Sequence, residues 1–311
     1  NLLWPKEFNN YYNYARRYCG GMNNGWGFEA KGCTNAQELQ IRLRAAGLIR
    51  RKKEEVLTEL PPKRTQIIEL PAIGSVQMLL DEEKRIWKLH EDSIAALRER
   101  RAIAEINDNY TEYVEAGKLI AKEFAVSFQE MAKLRLQIAE HKIPLAHSHI
   151  NDCLESGIDK LSVFFHHKSP AKALCDLLKK DGVKSLLVTG DLKTENGERQ
   201  AVIDSFQNDA TQRVIIGTMG SMGTGVTLTA AAHSVFCELD WRPGIVEQAI
   251  DRHHRIGQLN PVLGQFLLFA DSLDAKMIHM ILEKDEMLKA VLDVEEVESD
   301  DELPFSDEPV K

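Results

Sequence analysis

In the stretch QAIDRHHRIGQ, Gln248 to Gln258, Arg252 and Arg255 stand three residues apart beside Asp251. On a helix that spacing turns both guanidiniums to one face. Arginine stays charged at physiological pH, and its planar fork matches phosphate oxygens two at a time. A phosphate is one natural target, and a solvated salt-bridge pair on a charged helix face is the other. Asp251 would either orient a guanidinium or neutralise it. Upstream, GTMGSMGTGVTLTAA, Gly217 to Ala231, sets four glycines in nine residues after an apolar run. Glycine lets backbone amides approach a phosphate or ribose, and it serves a tight strand-to-helix turn equally well, so spacing leaves both readings open. Three close histidine pairs, His147 and His149, His166 and His167, His253 and His254, lack the carboxylate or cysteine pattern that would complete a metal site. No metal is expected, and His166 with Lys168 suits a backbone phosphate better.

Positions like these need elements to aim them. From Leu161 onward, short β-branched runs alternate with helical segments: LSVFFHH, PAKALCDLLKKDG, SLLVTGD, GERQAVIDSFQN, RVIIGTMG, SVFCELD and VLGQFLLFA. Nearly continuous apolar strands in such alternation predict an α/β fold with a doubly wound parallel sheet covered on both faces. Ligands of such sheets collect beyond the carboxyl ends of the strands. The candidates are therefore His166, His167 and Lys168; Thr189, Gly190 and Asp191; Gly217 to Gly225; and Asp240, Trp241 and Arg242. The arginine pair follows the post-strand loop DWRPG, which favours the phosphate reading.

Residues 4–50 read as short helices broken by the turn chemistry of CGGMNNGWGF. Between Arg42 and Arg64 lie eight basic residues against three glutamates, and the helix there should stop before Pro61 and Pro62. TQIIELP then reads as a strand. From Ser75 to about Ile150, apolar residues recur three and four apart, as in LLDEEKRIWKLHEDSIAALRERRAIAEI, which predicts long helices in a packed hairpin, with a partner-binding arm as the other reading.

The net charge of −9 is misleading, because the last nineteen residues hold nine acidic side chains and one basic one. The remainder is near neutral, so whole-chain charge excludes no polyanionic partner. The tail VEEVESDDELPFSDEPVK has too little apolar surface to offset chain ordering and is expected to be disordered, with Leu303 to Phe305 as a candidate docking peptide for a protein partner. Five cysteines without a CxxC pair point to a reducing, intracellular setting rather than a disulfide framework. No apolar run is long enough for a membrane span, so a soluble protein without a membrane partner is expected.

In order, SVFFHHKSPAKAL, TGDLKTENGERQAVIDSFQND, VIIGTMGSMGTGVTLTAA and DWRPGIVEQAIDRHHRIGQ resemble the C-terminal RecA-like lobe of Swi/Snf-type superfamily 2 ATPases, which are DNA translocases. GLIRRKKEEVLTELPPKR resembles their basic brace between lobes, LLWPKEFNNYYNYARRYC the end of their first lobe, and the WGF patch the annealing-helicase and bacterial or phage branch. The resemblance spans most of residues 1–290. It implies a RecA-like doubly wound parallel sheet with a mainly helical N-terminal region and a helical protrusion. It implies four segments: 1–70, the end of the first lobe and the brace; 71–150, the protrusion; 151–290, the RecA-like helicase lobe; and 291–311, the acidic tail.

Carried over to this chain, the resemblance makes Arg252 and Arg255 arginine fingers reaching the γ-phosphate of ATP held by the opposite lobe. Gln248 would line the interlobe cleft, Gly223 and Gly225 would border the nucleotide and DNA sides, Asp251 would join them in the ATP-binding set, and His167, Lys168, Gly190, Thr218 and Trp241 would lie near DNA. Two positions depart from the family, which usually has asparagine at Arg242 and alanine at His253. No GxxxxGK[ST] stretch occurs, and the DEx string DEEK at Asp81 to Lys84 sits in a helical pattern. ATP and Mg²⁺ are accordingly expected to be bound mainly by a first lobe not contained here, with the chain cut near that lobe's end and inactive alone. The implied partners are double-stranded or forked DNA and that first lobe. The implied compartment is the cytoplasm for a bacterial or phage source and the nucleus for a eukaryotic one. A non-catalytic nucleic-acid or partner-binding module is the alternative from another class. An RNA-directed or strand-separating helicase is disfavoured by the RIGQ ending.

Overall fold

A computed structural model describes residues 8–23, 28–30, 34–49, 56–192, 197–223, 225–240 and 242–279. Residues 51–281 form one compact unit, and the described residues before it belong to another. The smaller unit contains α1 (Tyr11–Tyr18), a two-stranded antiparallel pair of β1 (Met22–Asn23) and β2 (Phe28–Glu29), and α2 (Ala36–Ala45). Asn10 starts α1 by accepting the amides of Tyr12 and Asn13 on its side chain. Glu38 on α2 ties the helices together through Arg17 and the Tyr18 hydroxyl. The glycine and asparagine patch thus contributes a short strand pair.

The larger unit opens with β3 (Lys63–Leu70) and the hairpin of α3 (Ser75–Ile106) and α4 (Tyr110–Glu155). The turn between the two helices uses Asp108 at a φ of 51°, and the Asn109 side chain caps the amide of Glu112. There follow β4 (Leu161–Phe165), α5 (Lys168–Lys180), β5 (Ser185–Val188), α6 (Glu198–Asn208), β6 (Val214–Thr218), α7 (Met219–Met222), β7 (His233–Phe236), α8 (Pro243–Ile250) and β8 (Val262–Phe269).

Six strands pair in the order β3-β8-β7-β4-β6-β5, every pair parallel. Strand β3, sequence-distant from the rest, joins through Lys63 opposite Val262 and Leu70 opposite Phe269. Both β4 and β6 are buried along their whole length, as continuous apolar runs require when each face is covered. On one face, Val163, Phe165, Ile216 and Leu267 pack against Ala171, Leu174 and Leu178 of α5, together with Ile150 of α4 and Leu80 of α3. On the other, Phe164, Phe236 and Phe266 meet Ile203 and Phe206 of α6, Met219 and Met222 of α7, and Val246 and Ile250 of α8. The rings of Phe164, Phe236 and Phe266 stack across three neighbouring strands at 4.8 and 5.0 Å. The doubly wound RecA-like sheet expected from the sequence is borne out. No helix among the described residues is long and apolar enough to cross a membrane.

Candidate nucleotide and nucleic-acid interface

Strands β7, β4, β6 and β5 are consecutive neighbours, so the residues after them gather at one edge of the sheet. At the end of β4, the backbone amides of His166 and His167 donate to Oε2 of Glu238 at 3.0 and 2.9 Å. Oε1 of the same carboxyl lies 2.7 Å from His167 Nδ1. Those amides lie at and just before the N-cap of α5, where the helix dipole favours an acceptor of negative character. Glu238 is only 2% exposed, so it acts as an internal clasp for the His167 ring, which keeps Nε2 for another partner.

Next along the edge, Lys168 Nζ donates to Asp191 Oδ1 at 2.6 Å, and Thr189 Oγ1 donates to Asp191 Oδ2 at 3.1 Å. The Lys168 hydrogen bond leads in holding the Asp191 carboxyl below its usual pKa. A Cβ added to Gly190 would sit 3.7 Å from Lys168 Nζ, so Gly190 and Lys168 are neighbours although 22 residues separate them in sequence. Thr218, at the end of β6, is buried and donates its hydroxyl to Ser221 at 2.9 Å. After β7, Asp240 accepts Arg242's amide, Nε and Nη2 at 2.9, 3.0 and 3.2 Å. Burial works to raise the Asp240 pKa, but the Arg242 contacts outweigh it and the net is a lowering. His166 Nδ1 lies 3.5 Å from Asp240, and burial, followed by the positive field of Arg135, pulls the His166 pKa down. Thus His167, Lys168, Gly190 and Thr218 come together at one edge, while Trp241 lies outside the described residues.

The nucleotide candidates gather elsewhere. Helix α8 ends at Ile250, and residues 251–257 are turns and bends rather than more helix. The reading of Arg252 and Arg255 as one helix face is therefore corrected. Tertiary bonds divert the chain: Leu228 N donates to Arg252 O at 2.9 Å, His254 Nε2 to Pro61 O at 2.8 Å, and Gln258 Nε2 to the carbonyls of Thr229, Ala231 and His253. These anchors also correct the placement of the pair beside the carboxyl strand ends. Helix α8 runs back along the sheet, so the turn meets Lys63, the first residue of β3, and Ser162, the second of β4.

The guanidiniums are nevertheless held together, by a different device. Arg252 Nε donates to Gly223 O at 2.8 Å and Arg255 Nη1 to Thr227 Oγ1 at 3.0 Å, so one short loop tethers both half-buried side chains. Among the described residues, neither arginine makes another side-chain hydrogen bond, which leaves N–H donors on both forks. Asp251 pairs with Lys63 at 3.1 Å, Gln248 is exposed on α8, and Gly225 is exposed with a φ of 70°. Gly217 and Gly223 answer to packing instead. An added Cβ would fall 2.2 Å from Val188 O at the first and 2.4 Å from Met219 O at the second.

His253, the departure from alanine, is fully buried, with Nε2 2.6 Å from Ser162 Oγ and Nδ1 3.2 Å from Ala249 O. A carbonyl only accepts, so Nδ1 carries the proton and Nε2 accepts from the serine. Desolvation drives the His253 pKa down to about 4. Sequence reasoning missed two functional supports, Glu238 and Gln258. Their position after a strand and at the end of the arginine motif was the available signal. Among the described residues, no group of three or more His, Cys, Asp or Glu side chains is arranged to hold a metal ion.

Residues 145–257 match the family of the helicase conserved C-terminal domain. Over 91% of its length the chain is 31% identical to the SWI/SNF-related matrix-associated actin-dependent regulator of chromatin subfamily A-like protein 1 of Xenopus tropicalis. The chain carries a Swi/Snf-type helicase C-terminal lobe. This Swi/Snf lobe is also 31% identical, over 93% of the chain, to the DNA annealing helicase and endonuclease ZRANB3 of Homo sapiens. It spans about a quarter of the length of these two relatives, 27% and 25%. Among solved structures, the Sulfolobus solfataricus SWI2/SNF2 ATPase core in complex with dsDNA matches 93% of this chain and 57% of its own, at 18% identity and a TM-score of 0.51. The C-terminal part of the Fun30 ATPase domain matches 71% of this chain and 89% of its own, at 19% identity and a TM-score of 0.50. At such identities both speak to the fold, which they share with the six-stranded sheet described above.

Proposed function

We propose that this chain is the second motor lobe of an ATP-dependent double-stranded-DNA translocase, with Arg252 and Arg255 as its arginine fingers. The observation that carries this reading is the tethering of both guanidiniums to the 223–227 loop with N–H donors still unspent. Two fixed positive forks can neutralise charge that develops on equatorial phosphoryl oxygens in a loose transition state. They ask for no reorganisation at the moment of reaction, because the loop has already set them. ATP supplies the phosphoryl group, and its Mg²⁺ belongs with the phosphate cradle of a companion lobe. The residues present suit the outer side of the phosphates and not the cradle, since no GxxxxGK[ST] loop occurs in the sequence. The lobe alone is accordingly inactive in ATP turnover.

The carboxyl strand edge, separate from the arginines, is proposed as the DNA side. There His167, Lys168 and the backbone near Gly190 meet phosphates without reading sequence. In the intact protein, Arg252→Ala and Arg255→Ala should each lower DNA-stimulated turnover by about 10³-fold or more while duplex affinity stays close to that of the parent. Unchanged turnover in both variants would refute the finger assignment. Duplex binding without any ATP hydrolysis by the intact parent would favour a non-catalytic binding module instead.

A further inference from the structure

Both arms of the helical hairpin send charged side chains into the interior beside the end of β7. Lys142 is 0% exposed, Glu83 3%, Arg135 4% and Asp274 7%. Lys142 Nζ donates to Cys237 O at 2.8 Å and to Asp274 Oδ2 at 2.9 Å. Arg135 Nη2 donates to Leu239 O at 2.5 Å and to Asp274 Oδ1 at 2.9 Å. From α3, Glu83 Oε2 accepts the amide of Leu273 at 2.8 Å, which fixes the segment that carries Asp274.

Buried ion clusters are weak devices for stability, because well-packed apolar groups usually do as well. What distinguishes this one is its second set of acceptors. Lys142 and Arg135 grip the carbonyls immediately before and after Glu238, and Glu238 in turn holds the amides of His166 and His167 and the His167 ring. An unbroken series of direct contacts therefore runs from α4 through Cys237 and Leu239 to Glu238 and His167. Asp274 pairs with both cations that make the grip. Burial would raise the Asp274 pKa, but Lys142 and Arg135 reverse that and bring it to about 2, so the carboxylate is ionised throughout the working range.

We propose that Arg135 is a positioning residue that registers the Glu238 loop, and through it His167, against the DNA backbone, so that the helical hairpin sets the geometry of the DNA edge. This rests on the translocase reading above. Arg135 does not touch DNA itself. It is the cation to test because its loss leaves Asp274 paired with Lys142.

The experiment is a duplex-DNA titration of ATP hydrolysis by the full-length protein, run well below its melting temperature. Arg135→Met should raise the DNA concentration for half-maximal stimulation on the order of tenfold while turnover at saturating DNA stays within about twofold of the parent. Arg135→Lys, which keeps a donor for Leu239 O, should recover most of that shift. It also supplies the comparison should the methionine variant fold poorly. The double variant Arg135→Met with Glu238→Gln should shift half-saturation no further than the larger single shift, because both changes break the same series of contacts. A lower melting temperature with unmoved half-saturation would overturn the proposal and leave Arg135 a purely structural residue. Fully additive shifts would overturn it too. Absence of DNA stimulation in the unsubstituted protein would instead overturn the translocase reading, and this inference with it.

Discussion

Arg252 and Arg255 owe their geometry to a loop rather than to a helix, and the histidine beside Arg252 is buried. His253 enters the core edge-on to Phe164 with its centroid 6.0 Å away, and takes the Ser162 hydroxyl on Nε2. A neutral, buried imidazole has a consequence for stability. In the unfolded chain it titrates near the ordinary histidine value of 6.5, whereas the folded protein resists protonation until about pH 4. Stability from this group is therefore complete above pH 6.5 and declines as pH falls from there towards 4. The full loss is on the order of 3 kcal/mol. Urea midpoints measured across that window should fall less steeply for His253→Ala than for the parent, and parallel curves would contradict the assignment. The arginines themselves were legible in the sequence, because a permanent charge and a fork at fixed spacing are properties of the residues. Glu238 was not. Its role exists only once β4 and β7 lie side by side and bring the amides of His166 and His167 to it.

At the scale of elements, the strands were readable because burial on both faces demands unbroken apolar runs, and β4 through β8 supply them. The end of α8 was not readable, since its bounds depend on bonds from Leu228 and Gln258, remote in sequence or outside any apolar pattern. The glycine-rich run shows the same division. Gly217 is excluded from change by Val188 O and by Met222 Sδ at 2.5 Å, while Gly220 has nothing within 4 Å of an added Cβ. Gly217→Ala should therefore destabilise the lobe by about 3 kcal/mol. Gly220→Ala, inside α7, should be neutral or stabilising by about 0.5 kcal/mol. Denaturation midpoints of the two variants decide this, and equal losses would show that both glycines serve the turn alike.

For the whole molecule, two separated surfaces on one lobe suit a motor better than a single pocket would. Under the proposed function, phosphoryl chemistry beside Gly223 and Thr227 and backbone contacts at the strand edge would have to be distinct if one is to drive movement along the other. With the acidic excess concentrated in the last nineteen residues, the remainder is near neutral and free to carry local positive contacts. Duplex affinity of the intact protein should accordingly fall linearly with salt on logarithmic axes, by about 0.9 log units per decade for each phosphate neutralised. The most direct measurement is the turnover number for ATP at saturating duplex DNA in intact protein bearing Arg252→Lys or Arg255→Lys. Lysine keeps the charge but loses the planar fork, so turnover should drop by about 100-fold or more in each variant. Parental turnover in both would show that the paired guanidiniums do not act on the phosphate.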